Sequence, residues 1–113
     1  MAVDQSELAR RTEVALEAIK ASLNTDAGEF GALLFVSHHL DELKPTYWQT
    51  HLKIDRPDPS QVLGLISLRS HWSDDGDEGL DRLDFGLPGE VSGYVLCVRF
   101  DKNGDVEEIS LES

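Results

Sequence analysis

The hydrophobic pattern changes period along the chain, and each change marks an element. From Asp4 to Leu23 the apolar and small residues Leu8, Thr12, Ala15, Leu16, Ile19 and Leu23 recur at the spacing of one helical stripe. Glu13, Glu17 and Lys20 fall away from that stripe. Asp4 with Glu7 three residues on forms a capping box, and Gly28, within Asn24 to Glu29, ends the helix. Phe30 to Ser37, FGALLFVS, is short and almost wholly apolar, which predicts a buried strand. His38 to Leu43 is expected to begin a second helical region capped by Ser37. Pro45 then opens a short helix to Leu52, because proline suits a first helical turn. Arg56 to Pro59 is a stiff connection, followed by a further short helix from Pro59 to about Ile66 and a strand over Leu65 to Trp72.

Ser73 to Gly79, SDDGDEG, reads as an exposed loop, and Leu80 to Phe85 as a short strand. The last segment is the clearest. Tyr94 to Phe100 and Asp105 to Leu111 flank the turn DKNGD, in which Lys102 and Asn103 fit the centre of a type I turn and Gly104 supplies a positive φ. The expected pairs are Phe100 with Val106, Arg99 with Glu107, Cys97 with Ile109 and Val95 with Leu111. That register puts Val95, Cys97, Ile109 and Leu111 on one face. The Tyr94 strand is apolar on both faces, as a central strand should be, and its partner lies nearer an edge. The whole reads as one α+β domain over residues 1–113. A mostly antiparallel sheet of four to five strands carries the N-terminal helix and two or three short helices.

Charge alters the picture. Twenty-two Asp and Glu stand against ten Lys and Arg, a net charge of −12. From Asp74 onward, 12 acidic and 3 basic residues give −9; the first 73 residues carry 10 and 7, giving −3. Such a surface repels phosphates, so neither nucleic acid nor an anionic membrane is expected as a partner. The longest uninterrupted apolar run, Ala32 to Val36, is far short of the ~20 residues of a membrane span. With one cysteine, Cys97, and no apolar signal-peptide core in MAVDQSELAR, the expected compartment is the cytoplasm.

Candidate chemistry is sparse. His38, His39, His51 and His71 show no paired metal-ligand spacing, so neither metal nor cofactor is expected. DKNGD lacks the later ligands of a calcium loop. Cys97 falls mid-strand, where a small core residue is expected rather than a nucleophile, and no nucleophile elbow or phosphate-cradling glycine loop occurs, so no enzyme is expected. Attention falls instead on Trp72 beside the acidic loop. A large ring can anchor a partner while carboxylates steer it, which makes Trp72, Asp74, Asp75, Asp77, Glu78, Asp81 and Asp84 the candidate partner-binding residues.

The stretches HHLDELKPTYW, DPSQVLGL (Asp58 to Leu65) and DFGLPGEVSGYVLCVRFDKNGDVEEISLES resemble a small bacterial family, domain of unknown function 2004, over roughly residues 30–113. That family has no catalytic signature to carry over. Its small acidic cytoplasmic domains are similar to immunity proteins, which bind and neutralise a toxin delivered by neighbouring bacteria. The resemblance implies a cognate toxin of basic surface as partner. The alternative is a housekeeping regulatory or small-ligand-binding domain, which a pocket lined by His38, His39, Trp48 and His71 would favour. Neither reading fixes an oligomeric state.

Overall fold

The computed structural model describes residues 5–23, 25, 31–72, 80–89 and 92–112. Four helices precede a four-stranded antiparallel sheet: α1 (Gln5–Ser22), α2 (Ala32–Glu42), α3 (Pro45–Leu52), α4 (Pro59–Leu63), β1 (Ser67–Trp72), β2 (Arg82–Gly86), β3 (Val95–Phe100) and β4 (Val106–Glu112). The strands follow one another as a meander in the order β1-β2-β3-β4, so β3 is internal and β4 an edge. The fold is α+β.

α1 turns the expected stripe inward: Ala15 and Ile19 are fully buried, and Leu8 and Leu16 pack beside them. Burying a side chain such as Ile19 contributes roughly 1.5–3 kcal/mol, more than any single exposed polar contact along the same helix. The Asp4 cap and the Gly28 stop lie outside the described residues. α3 keeps its bounds because Pro45 supplies the fixed φ of a first turn and Lys53 closes it in a left-handed conformation (φ 61°). α4 starts on a capping box in which the Asp58 N–H donates to Gln61 Oε1 (2.8 Å), and it ends at Leu63, short of Ile66.

The strand expected over Phe30 to Ser37 is a helix instead. Ala32, Phe35, Val36 and His39 are buried while Leu33 and Leu34 are exposed, which is the helical period rather than alternation. A five-residue apolar run fits either element. The deciding information lay beyond Ser37, where His39 continues the stripe. Ser37 is consequently an exposed mid-helix residue and not a cap. The described residues therefore contain four strands and no fifth.

The β3–β4 turn has the expected form. The Gly104 N–H donates to the Asp101 carbonyl (3.0 Å), the Asp101 N–H donates to the Asp105 carbonyl (2.8 Å), and Gly104 has φ +83°. Phe100 pairs with Val106 as expected, but the register then slips. Arg99 pairs with Glu108, Cys97 with Ser110 and Val95 with Glu112. Glu107 is the extra residue of a β-bulge. Because side chains alternate, the slip reverses the face of every later β4 residue. Ile109 and Leu111 lie with Val98 and Leu96 rather than with Cys97 and Val95.

Those four residues, with Leu83, Phe85 and Phe100, form the sheet's side of one hydrophobic cluster. The helices supply Ile19, Phe35, Val36, Trp48, Val62 and Leu63. The other face of the sheet contributes nothing to this cluster. By register it carries Ser70, Trp72, Arg82, Asp84, Cys97, Arg99, Glu108, Ser110 and Glu112.

Candidate functional site

The face turned from the helices is a polar ladder built around Asp84. Asp84 pairs with Ser70 on one side and with Cys97 on the other. Its Oδ2 accepts hydrogen bonds from the Ser70 hydroxyl (3.1 Å) and from the Trp72 indole N–H (3.2 Å). The Cys97 thiol also donates to this carboxylate. Burial pushes the thiol up to about 12, with the Asp84 hydrogen bond and the charges of Asp84 and Glu112 acting in the same direction. A thiol held that high is not a nucleophile at neutral pH. Cys97 is buried as expected, but among polar neighbours rather than beside Ile109.

One step along the ladder, Arg82 pairs with Trp72 on β1 and with Arg99 on β3. Its guanidinium carbon sits 4.7 Å from the centre of the Trp72 ring, a cation–π contact. Arg99 donates from Nη2 to Glu108 (2.8 Å), and its Nε is 3.7 Å from Glu107. Trp72, Arg82 and Arg99 thus form a row across three strands, with carboxylates at either side.

The row ends at the hairpin side of the sheet, where α1 is fastened. Arg11 donates to the Leu80 carbonyl (2.7 Å) and lies 5.2 Å over the Phe100 ring; Arg10 donates to the Gly104 carbonyl (3.3 Å). Glu7 bonds both arginines, at 2.7 Å and 2.6 Å, and these hydrogen bonds hold its carboxyl down at about 2. Beyond Phe100 an open hollow of about 550 Å³ is bordered by Asp81, Arg82, Arg99, Asp101, Lys102 and Glu107.

Of the residues expected to meet a partner, Trp72 and Asp84 are brought into contact and Asp81 borders the hollow beside Arg82. Asp74, Asp75, Asp77 and Glu78 lie outside the described residues. Neither Arg82 nor Arg99 is among the residues the sequence singles out for a partner, and the sequence does not place one beside the other. The signal was the alternation of RLDF against VLCVRF, legible once the two strands are set in register.

Of the four residues proposed for a ligand pocket, His38 and His39 are neighbours, their rings 5.2 Å apart. His39 is buried on α2, within hydrogen-bond distance of the Phe35 carbonyl and Ser92. The His38 ring lies 4.3 Å from that of Tyr94. Trp48 borders a hollow of about 270 Å³ with Leu40, Leu43, Pro45, Asp55 and Arg56, and no histidine lines it. Among the described residues, no three His, Cys, Asp or Glu side chains converge as a metal site, and no helix is long and apolar enough to cross a membrane.

No family model matches the chain, and neither a curated protein nor a solved structure is significantly similar to it.

Proposed function

We propose that the chain is a cytoplasmic binding protein of the immunity type, which neutralises a toxin domain of basic surface by covering it. The observation that carries this reading is the sheet face left outside the hydrophobic cluster. It presents a row of Trp72, Arg82 and Arg99, residue types that dominate binding energy where proteins meet. The row is held by backbone pairing and by the Asp84 hydrogen bonds, so little side-chain freedom is lost on association. Around it lie Asp81, Glu107, Glu108 and Glu112, and the net charge of −12 would steer a basic partner toward any such face. The resemblance to domain of unknown function 2004 points the same way. The chemistry needed is recognition alone, which requires no cofactor.

The test is co-expression with any candidate toxin domain that a neighbouring gene encodes, followed by association kinetics across salt concentrations. Cells should survive, and the association rate should fall as the screening length shrinks from ~10 Å at 0.1 M to ~3 Å at 1 M salt. Replacing Asp74, Asp75, Asp77 and Glu78 by their amides should slow association. Trp72→Ala should act mainly on dissociation, by about 2 kcal/mol or more. Growth arrest that the chain does not relieve, with no complex on size exclusion, would sink the reading.

A further inference from the structure

We propose that the outer edge of β4 takes up an extended strand of a partner protein, and that this strand alternates apolar and basic residues. This goes beyond the immunity reading and does not depend on it. β4 ends the sheet, and among the described residues no strand pairs with its outer side. At seven residues it is the longest of the four strands. Its alternate backbone N–H and C=O groups point away from β3, and a row of that kind is a template for another chain. The opposite edge is blunted, because a bulge at Arg69 interrupts β1 in its middle. On β4 the bulge lies at Glu107, next to the turn, and Glu108 to Glu112 run beyond it in regular register with β3.

The two faces of β4 set what an added strand must carry. Toward the helices, Val106, Ile109 and Leu111 are only half-buried, whereas Leu96 and Val98 on β3 are fully buried. The apolar row is thus left open at the edge. A hollow of about 400 Å³ adjoins it, bordered by Ser22 at the end of α1 and by Val106, Glu107, Glu108 and Ile109. Apolar side chains of an added strand would enter there and complete the cover. On the other face stand Glu108, Ser110 and Glu112. Arg99 bonds Glu108, but the hydrogen bond that Glu112 makes among the described residues is with the Ser110 hydroxyl. β4 has no basic residue of its own. Lys or Arg on the added strand would oppose these glutamates, and opposite charges paired across strands are favourable. Side chains alternate between the faces, so the occupant reads apolar, basic, apolar, basic.

A second copy of this chain does not meet that requirement. Antiparallel pairing of β4 with itself about Ser110, over the part beyond the bulge, sets Glu108 against Glu112 twice. Like charges directly opposite destabilise a sheet. The occupant is therefore a strand of another protein, held by main-chain hydrogen bonds and selected by its alternate side chains.

The experiment is titration of the full-length chain with blocked peptides at matched ionic strength, followed by amide NMR and hydrogen exchange. The probe is Lys-Val-Lys-Val-Lys-Val-Lys. One control has Glu in place of Lys, and another has the same residues with the lysines in one block. The alternating Lys peptide should give saturable shifts centred on β4 and slow exchange at its alternate amides. The block peptide, equal in charge and composition, should bind about tenfold more weakly or worse, and the Glu peptide not at all. Glu108→Gln combined with Glu112→Lys, both exposed positions, should weaken the Lys peptide about tenfold and admit the Glu peptide, a gain that misfolding cannot produce. Absence of a saturable response overturns the proposal. So do shifts centred on Trp72 and Arg82, equal binding of the block peptide, or a double variant that behaves like the natural chain. A peptide-free dimer whose alternate β4 amides are already protected overturns the assignment to another protein. No toxin takes part, so failure here is separate from failure of the immunity reading.

Discussion

The Nε2 of His39 lies 2.6 Å from the hydroxyl oxygen of Ser92, a contact that ties the last turn of α2 to the segment before β3. The other ring nitrogen lies 2.8 Å from the Phe35 carbonyl, which can only accept, so Nδ1 carries the hydrogen and Nε2 accepts from Ser92. Ser92 in turn accepts from the Tyr94 N–H (3.3 Å). This is the arrangement of a neutral imidazole. Burial pushes its pKa down, the Phe35 carbonyl opposes this, and neighbouring His38 adds to it.

The sign of the pH dependence follows. In the unfolded chain a histidine protonates near pH 6.5. Above that value both states are neutral and the fold has its full stability. As the pH drops below about 6.5 the unfolded chain gains a proton that the fold refuses, and stability falls until the folded value is passed. Urea midpoints at about pH 7 and about pH 5 should thus differ more for the natural chain than for His39→Gln, which cannot titrate. Equal differences would show that His39 does not carry the acid sensitivity.

Cys97 gives a second outcome, in alkaline rather than acid solution. Its thiol is held at about 12, so the unfolded chain ionises first and stability falls from the ordinary thiol range upward. At neutral pH, alkylation should proceed only at the rate of unfolding. The Asp84 contact also separates two replacements. Cys97→Ser keeps a donor for Asp84 and should cost under about 1 kcal/mol, whereas Cys97→Val removes it and should cost about 1 kcal/mol more. Chemical denaturation of the two variants checks this. Serine as the costlier change would mean that apolar packing, not the Asp84 bond, governs the site.

Gly104 is required by its conformation and by its neighbour. It has φ +83°, and a Cβ there would stand 2.6 Å from Arg10 Nη2. The conformation alone costs any other residue about 1–2 kcal/mol. Arg10 would also have to swing aside and give up the Gly104 carbonyl. In Gly104→Ala both penalties apply; in Gly104→Ala combined with Arg10→Ala only the first remains. A double-mutant cycle on unfolding free energy should therefore show coupling between these residues, and strict additivity would argue against the fastening of α1 to the hairpin.

Some of this architecture was readable in the sequence, for identifiable reasons. The α1 stripe spans more than four turns, and the bounds of α3 follow from Pro45. The turn DKNGD has residue types that few other structures accommodate. α2 was misread because its five leading apolar residues are buried or exposed by a period that shows only further along, at His39. The site was legible in part. Trp72 and Asp84 were singled out and do touch, but the reason is pairing between β1 and β2, which spacing alone does not specify. Arg82 and Arg99 are seventeen positions apart, and only the register of β2 on β3 makes them neighbours.

The bulge at Glu107 shows how a correct turn can still give a wrong face, and it makes a sharp test. Phe100 opposes Val106, and Arg99 opposes Glu108, so Glu107 has no partner of its own. Removing one glutamate from the pair leaves Val-Glu-Ile-Ser-Leu-Glu, an unbroken alternation. Valine, isoleucine and leucine then point to the helices, as Val106, Ile109 and Leu111 already do. The deletion should cost less than about 1 kcal/mol and leave the amide exchange protection of β4 in place, since the ladder loses only its irregular step. Adding one serine between Glu108 and Ile109 is the opposite change. It forces either a second bulge or a one-residue slip that turns Ile109 and Leu111 out of the core, at roughly 1.5–3 kcal/mol for each side chain exposed. Unfolding midpoints and hydrogen exchange on both variants decide the matter. If the deletion proves as damaging as the insertion, Glu107 is a paired strand residue and the register given for β4 is wrong.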